Sequence, residues 1–224
     1  MKTLFLFLTF LLFAFFPCCR KDSSVTVYAD PPSTTNHTSS QEPRNNYLPL
    51  KVGNYWIYSH FSIFDSTFQD DRWTDSVVVE KDTVIFGKVF YKVYGFSTTR
   101  PWNYLTFYNN YLIDEKTMYY FSSEDFTSVL RTNTQLDVNG ETMAWGEFRM
   151  RCRDSLITVP AGTFTTITAL CTYSIAPDYQ NINSENPKFE FHCFAKNIGC
   201  VYESYPFMNS NIHTGRRLIR YHLN

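Results

Sequence analysis

Two stretches of this chain alternate with a period of two residues, the signature of a β-strand. Phe148, Met150 and Cys152 interleave with Arg149, Arg151 and Arg153, while Phe189, Phe191 and Cys193 interleave with Lys188, Glu190 and His192. A half-buried strand turns one such set to a core and the other to water, and in both stretches the apolar set is expected inside. Val77-Val78-Val79, Val84-Ile85-Phe86 and Val89-Phe90-Tyr91 read as more fully buried strands. Asn139-Gly140 is the pair preferred by a type I′ hairpin turn, whose two central residues need positive φ. Pro160-Ala161-Gly162 suits a type I turn closed by a left-handed glycine, and Asn109-Asn110, Gly87 and Gly199 add further turn signals. The expected fold is all-β: a single antiparallel meander of about ten strands forming a curved sheet, either a sandwich or a partly closed barrel. The 21 Phe, 16 Tyr and 4 Trp among 224 residues agree, since aromatic side chains favour strands. At most one short helix is expected, over Ser122 to Leu130, from a capping serine followed by early acids.

The amino terminus is organised differently. After Lys2, an apolar run from Leu4 to Phe16 is broken only by Thr9. As a helix it spans roughly 20 Å, against a hydrocarbon core of about 30 Å, so it reads as a signal-peptide core. Cys18-Cys19 follows, then Arg20-Lys21-Asp22, resembling a bacterial lipobox whose cysteine becomes the lipidated first residue of the mature chain. The anchor is assigned to Cys19, with Cys18 as the alternative. Phe16 and Pro17 stand where lipoboxes carry Leu and a small residue. The competing reading is cleavage after Ala29, which would release a soluble secreted protein. Residues 20–46 are rich in Ser, Thr, Pro and Asn, too polar to bury a core, and are expected to form a flexible stalk. The organisation is therefore 1–18 signal peptide, 19–46 lipidated N-terminus and stalk, and 47–224 one β-rich domain. The expected address is the cell envelope, at the outer membrane, with the membrane engaged through the N-terminal lipid.

Charge narrows the partners. Removing residues 1–18 takes one of 20 basic side chains and none of 21 acidic ones, so nothing points to nucleic acid. The arginines 149, 151 and 153 read as the solvated face of a strand, neutralised by Glu147 and Asp154. Four cysteines remain in the domain. Cys193 and Cys200 lie symmetrically about Lys196-Asn197, so a tight hairpin would pair them. Cys152 and Cys171 flank the Pro160 turn and would need a one-residue bulge to meet. Buried free thiols are the alternative for all four. No CxxC pair exists, and His192-Cys193 puts two candidate ligands on opposite strand faces, so no metal site is read. Asp65, Asp70, Asp71 and Asp75 lack the glycine-containing spacing of a calcium loop and read as a polar loop between strands. There is no GxSxG, HExxH, phosphate loop or GxGxxG, and neither a catalytic set nor a cofactor is assigned. Trp73, Trp102, Tyr104 and Trp145 are the aromatics to consider for stacking on a ligand such as a sugar.

Three segments stand in a distinctive order: Tyr47-Leu48-Pro49-Leu50-Lys51-Val52-Gly53-Asn54-Tyr55-Trp56-Ile57-Tyr58, then Val159-Pro160-Ala161-Gly162-Thr163-Phe164, then Phe194-Ala195-Lys196-Asn197-Ile198-Gly199-Cys200-Val201. The order resembles uncharacterised exported lipoproteins of Bacteroidetes-type bacteria, in which PLxxGNxWxY, VPAGTF and AKxxGxV frame a β-rich domain. Cys200 stands where that group often has an aliphatic residue. The resemblance implies fold and address but transfers no catalytic residue. Three functional readings follow. The first is a non-enzymatic envelope lipoprotein that binds a protein or glycan or serves a surface assembly. The second is a carrier or chaperone for a lipid or other apolar ligand in a half-open barrel, and the third a hydrolase with an unfamiliar acidic site.

Overall fold

The computed structural model describes residues 46–96, 100–180 and 186–224. Cys18, Cys19, Ala29 and nearly all of the expected stalk lie outside the described residues. Regular structure within them is all strand apart from one 3-10 turn, Pro177–Tyr179. The strands are β1 Tyr55–Phe64, β2 Thr67–Ile85, β3 Lys88–Tyr94, β4 Trp102–Tyr108, β5 Tyr111–Asp114 and β6 Tyr119–Ser122. There follow β7 Arg131–Leu136, β8 Thr142–Val159, β9 Gly162–Ile175, β10 Lys188–Ala195, β11 Gly199–Pro206 and β12 His213–His222. All pair antiparallel in one sheet, ordered β6-β5-β4-β3-β2-β1-β12-β11-β10-β9-β8-β7.

That order settles sandwich against barrel. β6 and β7 are consecutive in the chain yet occupy opposite edges of the sheet. Laid flat, twelve strands at about 4.8 Å spacing would separate those edges by roughly 50 Å, while the link from Ser122 to Arg131 reaches roughly 30 Å at full extension. The sheet must curl until its edges approach. Accordingly, the Arg131 guanidinium lies 4.6 Å from the centre of the Tyr120 ring. No ladder joins β6 to β7, so the barrel is nearly closed, with a seam.

The hairpin order places the chain entry at Asn46, the turns at 86–87, 109–110, 160–161 and 196–198, and the C-terminus at one end of the barrel. Here the three sequence landmarks work as one closure. Trp56 Nε1 donates to the Ile198 carbonyl at 2.5 Å, and the Tyr58 hydroxyl donates to the Cys200 carbonyl at 2.7 Å. Ala161 N–H donates to the Leu218 carbonyl, and Asn197 N–H to the Asn46 carbonyl. Gly199 has φ +120°, and a Cβ there would lie 2.8 Å from Trp56 Nε1, so only glycine lets the hairpin seat on the indole. Leu48 packs beneath, and the interior above it is apolar: Trp56, Leu105, Phe121, Met150 and Leu218 are fully buried. Each such side chain contributes about 1.5–3 kcal/mol of transfer free energy.

Several sequence expectations are corrected. Ser122–Leu130 is not helical beyond the strand residue Ser122. Its capping chemistry is real, with Ser122 Oγ accepting from Glu124 and Asp125 N–H and Asp125 Oδ1 from Thr127 and Ser128 N–H. These bonds divert the backbone into the crossing from one sheet edge to the other, where no helix propagates. Val84-Ile85-Phe86 is not a fully buried strand: the β2–β3 hairpin projects past its neighbours, leaving Phe86 93% exposed. Neither pairing expected for the domain cysteines forms, because Cys171, Cys193 and Cys200 are free and buried. A register slip sets Cys193 opposite Tyr202 and Cys200 opposite Phe194. Cys171 faces Phe148, while Cys152 falls in the bulge between Arg151 and Ser155.

Candidate functional site

Towards the other end the concave face is polar, and strand register explains how its charges meet. His60 of β1 pairs with Arg216 of β12, Arg216 with Glu203 of β11, and Glu203 with His192 of β10. Directly opposed residues project to the same face about 5 Å apart, so one rung across four strands carries four ionisable groups. Glu190 lies two residues from His192 on the same face and completes the set.

Every charge in this rung is answered within the protein. Arg216 Nε donates to Glu203 Oε2 at 2.5 Å, and its Nη1 donates to Asp75 Oδ2 at 3.0 Å and to the Gly95 carbonyl at 3.1 Å. His192 Nε2 lies 2.6 Å from Glu190 Oε1, and its Nδ1 3.4 Å from Glu203 Oε1. Two phenols finish the network: Tyr173 donates to Glu190 at 2.7 Å and Tyr205 to Glu203 at 2.8 Å. Burial alone would push the His192 pKa down, but its bonds to Glu190 and Glu203 and their charges prevail and raise it to about 9. Burial likewise opposes ionisation of Glu203, yet the Arg216 charge and the His192 bond hold its pKa well below the usual range. Burial pushes the phenols of Tyr173 and Tyr205 upward, keeping them neutral donors.

Above the rung lies a cavity of about 550 Å³. Trp73, Met143, Tyr205, Pro206, Phe207 and Met208 give it an apolar wall, and Arg216, Asp75 and Glu190 a charged floor. Residues 207–212 overhang it, held by the bond from Lys188 Nζ to the Ser210 carbonyl and from Phe207 N–H to the Ile212 carbonyl. Trp73 lies flat on His60, with ring centroids 3.3 Å apart and planes 12° apart. Burial lowers the His60 pKa, against the raising effect of Asp75, so this imidazole is neutral near pH 7. A second cavity of about 330 Å³ opens at the β6–β7 seam between Tyr120 and Arg131 and shares Gln135, Glu190 and Tyr205 with the first.

The four candidate stacking residues separate. Trp73 lines the mouth cavity. Trp102 and Tyr104 alternate with the buried Asn103 and Leu105 and so share the outer face of β4, where Lys92 Nζ sits 4.9 Å from the Trp102 ring centre. Trp145 alternates with the buried Ala144 and Gly146 and is half exposed on the outside of β8. The aspartates are not in one polar loop, since Asp70, Asp71 and Asp75 all lie on β2. Each has its own partner: Arg217 for Asp70, Ser62 for Asp71, and Arg216 for Asp75. The arginine stripe of β8 is solvent-facing as expected, with Arg149 bonded to Glu147. Among the described residues no group of three or more His, Cys, Asp or Glu side chains is placed to hold a metal ion.

The polar rung was missed in sequence because β10 is turned the opposite way to its hydrophobic pattern. Lys188 and Glu190 are buried inside, while Phe189 and Phe191 lie half-buried on the outer face. The available signal was charge complementarity: Glu203 and Arg216 fall in the strands that follow Lys188, Glu190 and His192.

No family model and no curated protein matches the chain. Two solved structures align with it. One is a protein regarded as a lipoprotein from Parabacteroides distasonis ATCC 8503, at 10% identity and a TM-score of 0.49, covering 81% of this chain and 100% of that one. The other is a protein regarded as exported, with a YmcC-like fold, from Bacteroides fragilis NCTC 9343, at 11% identity and a TM-score of 0.39, covering 78% and 98%. At these values neither alignment transfers a residue role.

Proposed function

We propose that this is an exported, lipid-anchored envelope protein that binds a small amphipathic molecule in the mouth of its barrel, without catalysis. The observation that carries the reading is the cavity of about 550 Å³, apolar on its wall and charged on its floor. Its size falls in the range of about 300–1,000 Å³ used by small-molecule sites. Binding is favoured over hydrolysis by the state of the acidic groups. A catalytic carboxylate must be available to give or take a proton at the substrate, whereas Glu190 and Glu203 are each engaged by His192 and a tyrosine. The signal-like run ending at Cys18-Cys19 supports export and anchoring through Cys19, at the outer membrane.

Two measurements test this. The neutral dye N-phenyl-1-naphthylamine should bind the native domain saturably with enhanced fluorescence, and Met143→Trp, which fills the cavity, should abolish the signal. No enhancement, or the same enhancement in the variant, ends the mouth-cavity reading. A radiolabelled fatty acid fed to expressing cells should mark the wild type and not a Cys18→Ala, Cys19→Ala double variant; an unlabelled wild type removes the anchor.

A further inference from the structure

The mouth cavity, if it binds as proposed above, also carries information about the ligand's polar part. Its charged groups are committed to one another. Arg216 is shared among Glu203, Asp75 and the Gly95 carbonyl, so an incoming anion would compete with two carboxylates for it. Asp75 is equally committed to Arg216, and an incoming cation would approach a carboxylate whose charge is already offset at 3.0 Å. Neither sign of head group gains a free counter-charge.

Asp75 Oδ1 and His60 Nε2 are buried without a hydrogen-bond partner among the described residues and could each take up a hydroxyl; the rest of the hydrogen-bonding capacity left over is neutral. Gln135, Asn209 and Thr214 line the cavity, and none of their side chains makes a hydrogen bond to another described residue. Beside them stands Trp73, half exposed, with one ring face covered by the His60 imidazole. A flat aromatic face flanked by unused amides and a hydroxyl matches a molecule that has an apolar C–H face and hydroxyls around its edge. Such a molecule satisfies the amides without stranding a charge in a site that cannot answer it.

We infer that the mouth recognises a neutral saccharide ring, stacked on Trp73 and hydrogen-bonded by Gln135, Asn209 and Thr214, whether free or as the head group of a glycolipid. This deepens the binding reading and fails separately from it.

Calorimetric titration of the full domain with four probes separates the cases: maltose, and, below their micellar concentrations, dodecyl maltoside, dodecyltrimethylammonium and dodecanoate. The last three share a tail and differ in head group. The maltoside should bind at least about tenfold more tightly than either charged amphiphile. That preference should disappear in both Trp73→Ala and Gln135→Ala, neither of which removes an ion-pair partner from the buried charge network. Binding of maltose alone with similar affinity identifies the free sugar as sufficient; binding of the maltoside only identifies a glycolipid head, and both support the inference. Equal binding of the three amphiphiles, or preference for a charged head, overturns the saccharide while leaving the cavity reading standing. A maltoside preference that survives both substitutions places the sugar elsewhere and also overturns it. If no probe binds, the cavity reading falls as well.

Discussion

Replacing His192 by glutamine isolates the central charge of the interior. The imidazolium is favoured because it sits between Glu190 and Glu203, at 2.6 and 3.4 Å, with its side chain only 16% exposed. Its pKa is raised to about 9 from an ordinary 6.5. At about 1.4 kcal/mol for each tenfold change in proton affinity, this preference corresponds to about 3 kcal/mol of folding free energy. The folded state binds the proton more tightly than the unfolded chain. The contribution is therefore fully present below about pH 6.5 and lost as pH rises through about 9. The assay is urea unfolding of wild type and His192→Gln at intervals from pH 6 to pH 10. Taking the difference between the two proteins cancels the tyrosines, lysines and thiols that titrate in both. The gap in stability should narrow by about 2–3 kcal/mol over that range, with m-values unchanged. A gap that stays constant with pH would mean that His192 is not charged in the folded protein, and the description of the rung as a balanced ionic network would be wrong.

Three further outcomes are expected. Glu203→Gln takes from the buried Arg216 guanidinium one of its two carboxylate partners, leaving Asp75, and removes one support of His192, so it should cost about 3–5 kcal/mol, whereas Phe86→Ser at the exposed hairpin tip should stay within about 0.5 kcal/mol; chemical denaturation distinguishes the two. Gly199→Ala combines a backbone at φ +120° with a Cβ 2.8 Å from Trp56 Nε1, and should lower stability by about 1–3 kcal/mol in the same assay. Burial raises the Cys171 and Cys193 thiols to about 12 and about 11, and Cys200 well above its usual value. Peptide mapping after brief exposure to Ellman's reagent should find these three unmodified in the native domain and modified in urea, and rapid native labelling of any of them would contradict their burial.

The strand period, the turn residues and the aromatic content were enough to read an all-β meander, because each is a local property of the chain. The same locality made the arginines at 149, 151 and 153 legible as the solvated side of their own strand. Local reasoning failed where a segment's fate depends on what lies across the barrel. Ser122 and Asp125 make the hydrogen bonds of a helix start, yet the link must cross from β6 to β7, and the backbone turns instead. The site itself was only partly visible. Trp73 could be named from its residue type, but its separation from Trp102, Tyr104 and Trp145 required knowing which strand positions face inward.

The sequence by itself determined that this chain forms antiparallel strands, and it placed the turns at Asn109-Asn110, Pro160-Ala161-Gly162 and Gly199. Those outcomes follow from dihedral preferences and from alternation along a single strand. Only the tertiary structure decided that the sheet closes on itself, because closure comes from a short link joining opposite edges of the sheet. It also decided which face of β10 is inside. An apolar pattern predicts burial when the alternative is water, but here Lys188, Glu190 and His192 turn inward to partners on neighbouring strands and loops, and Phe189 and Phe191 give up part of their burial. Such a network of long-range ion pairs and hydrogen bonds exists only after register has aligned His60, Arg216, Glu203 and His192, so no single strand could announce it.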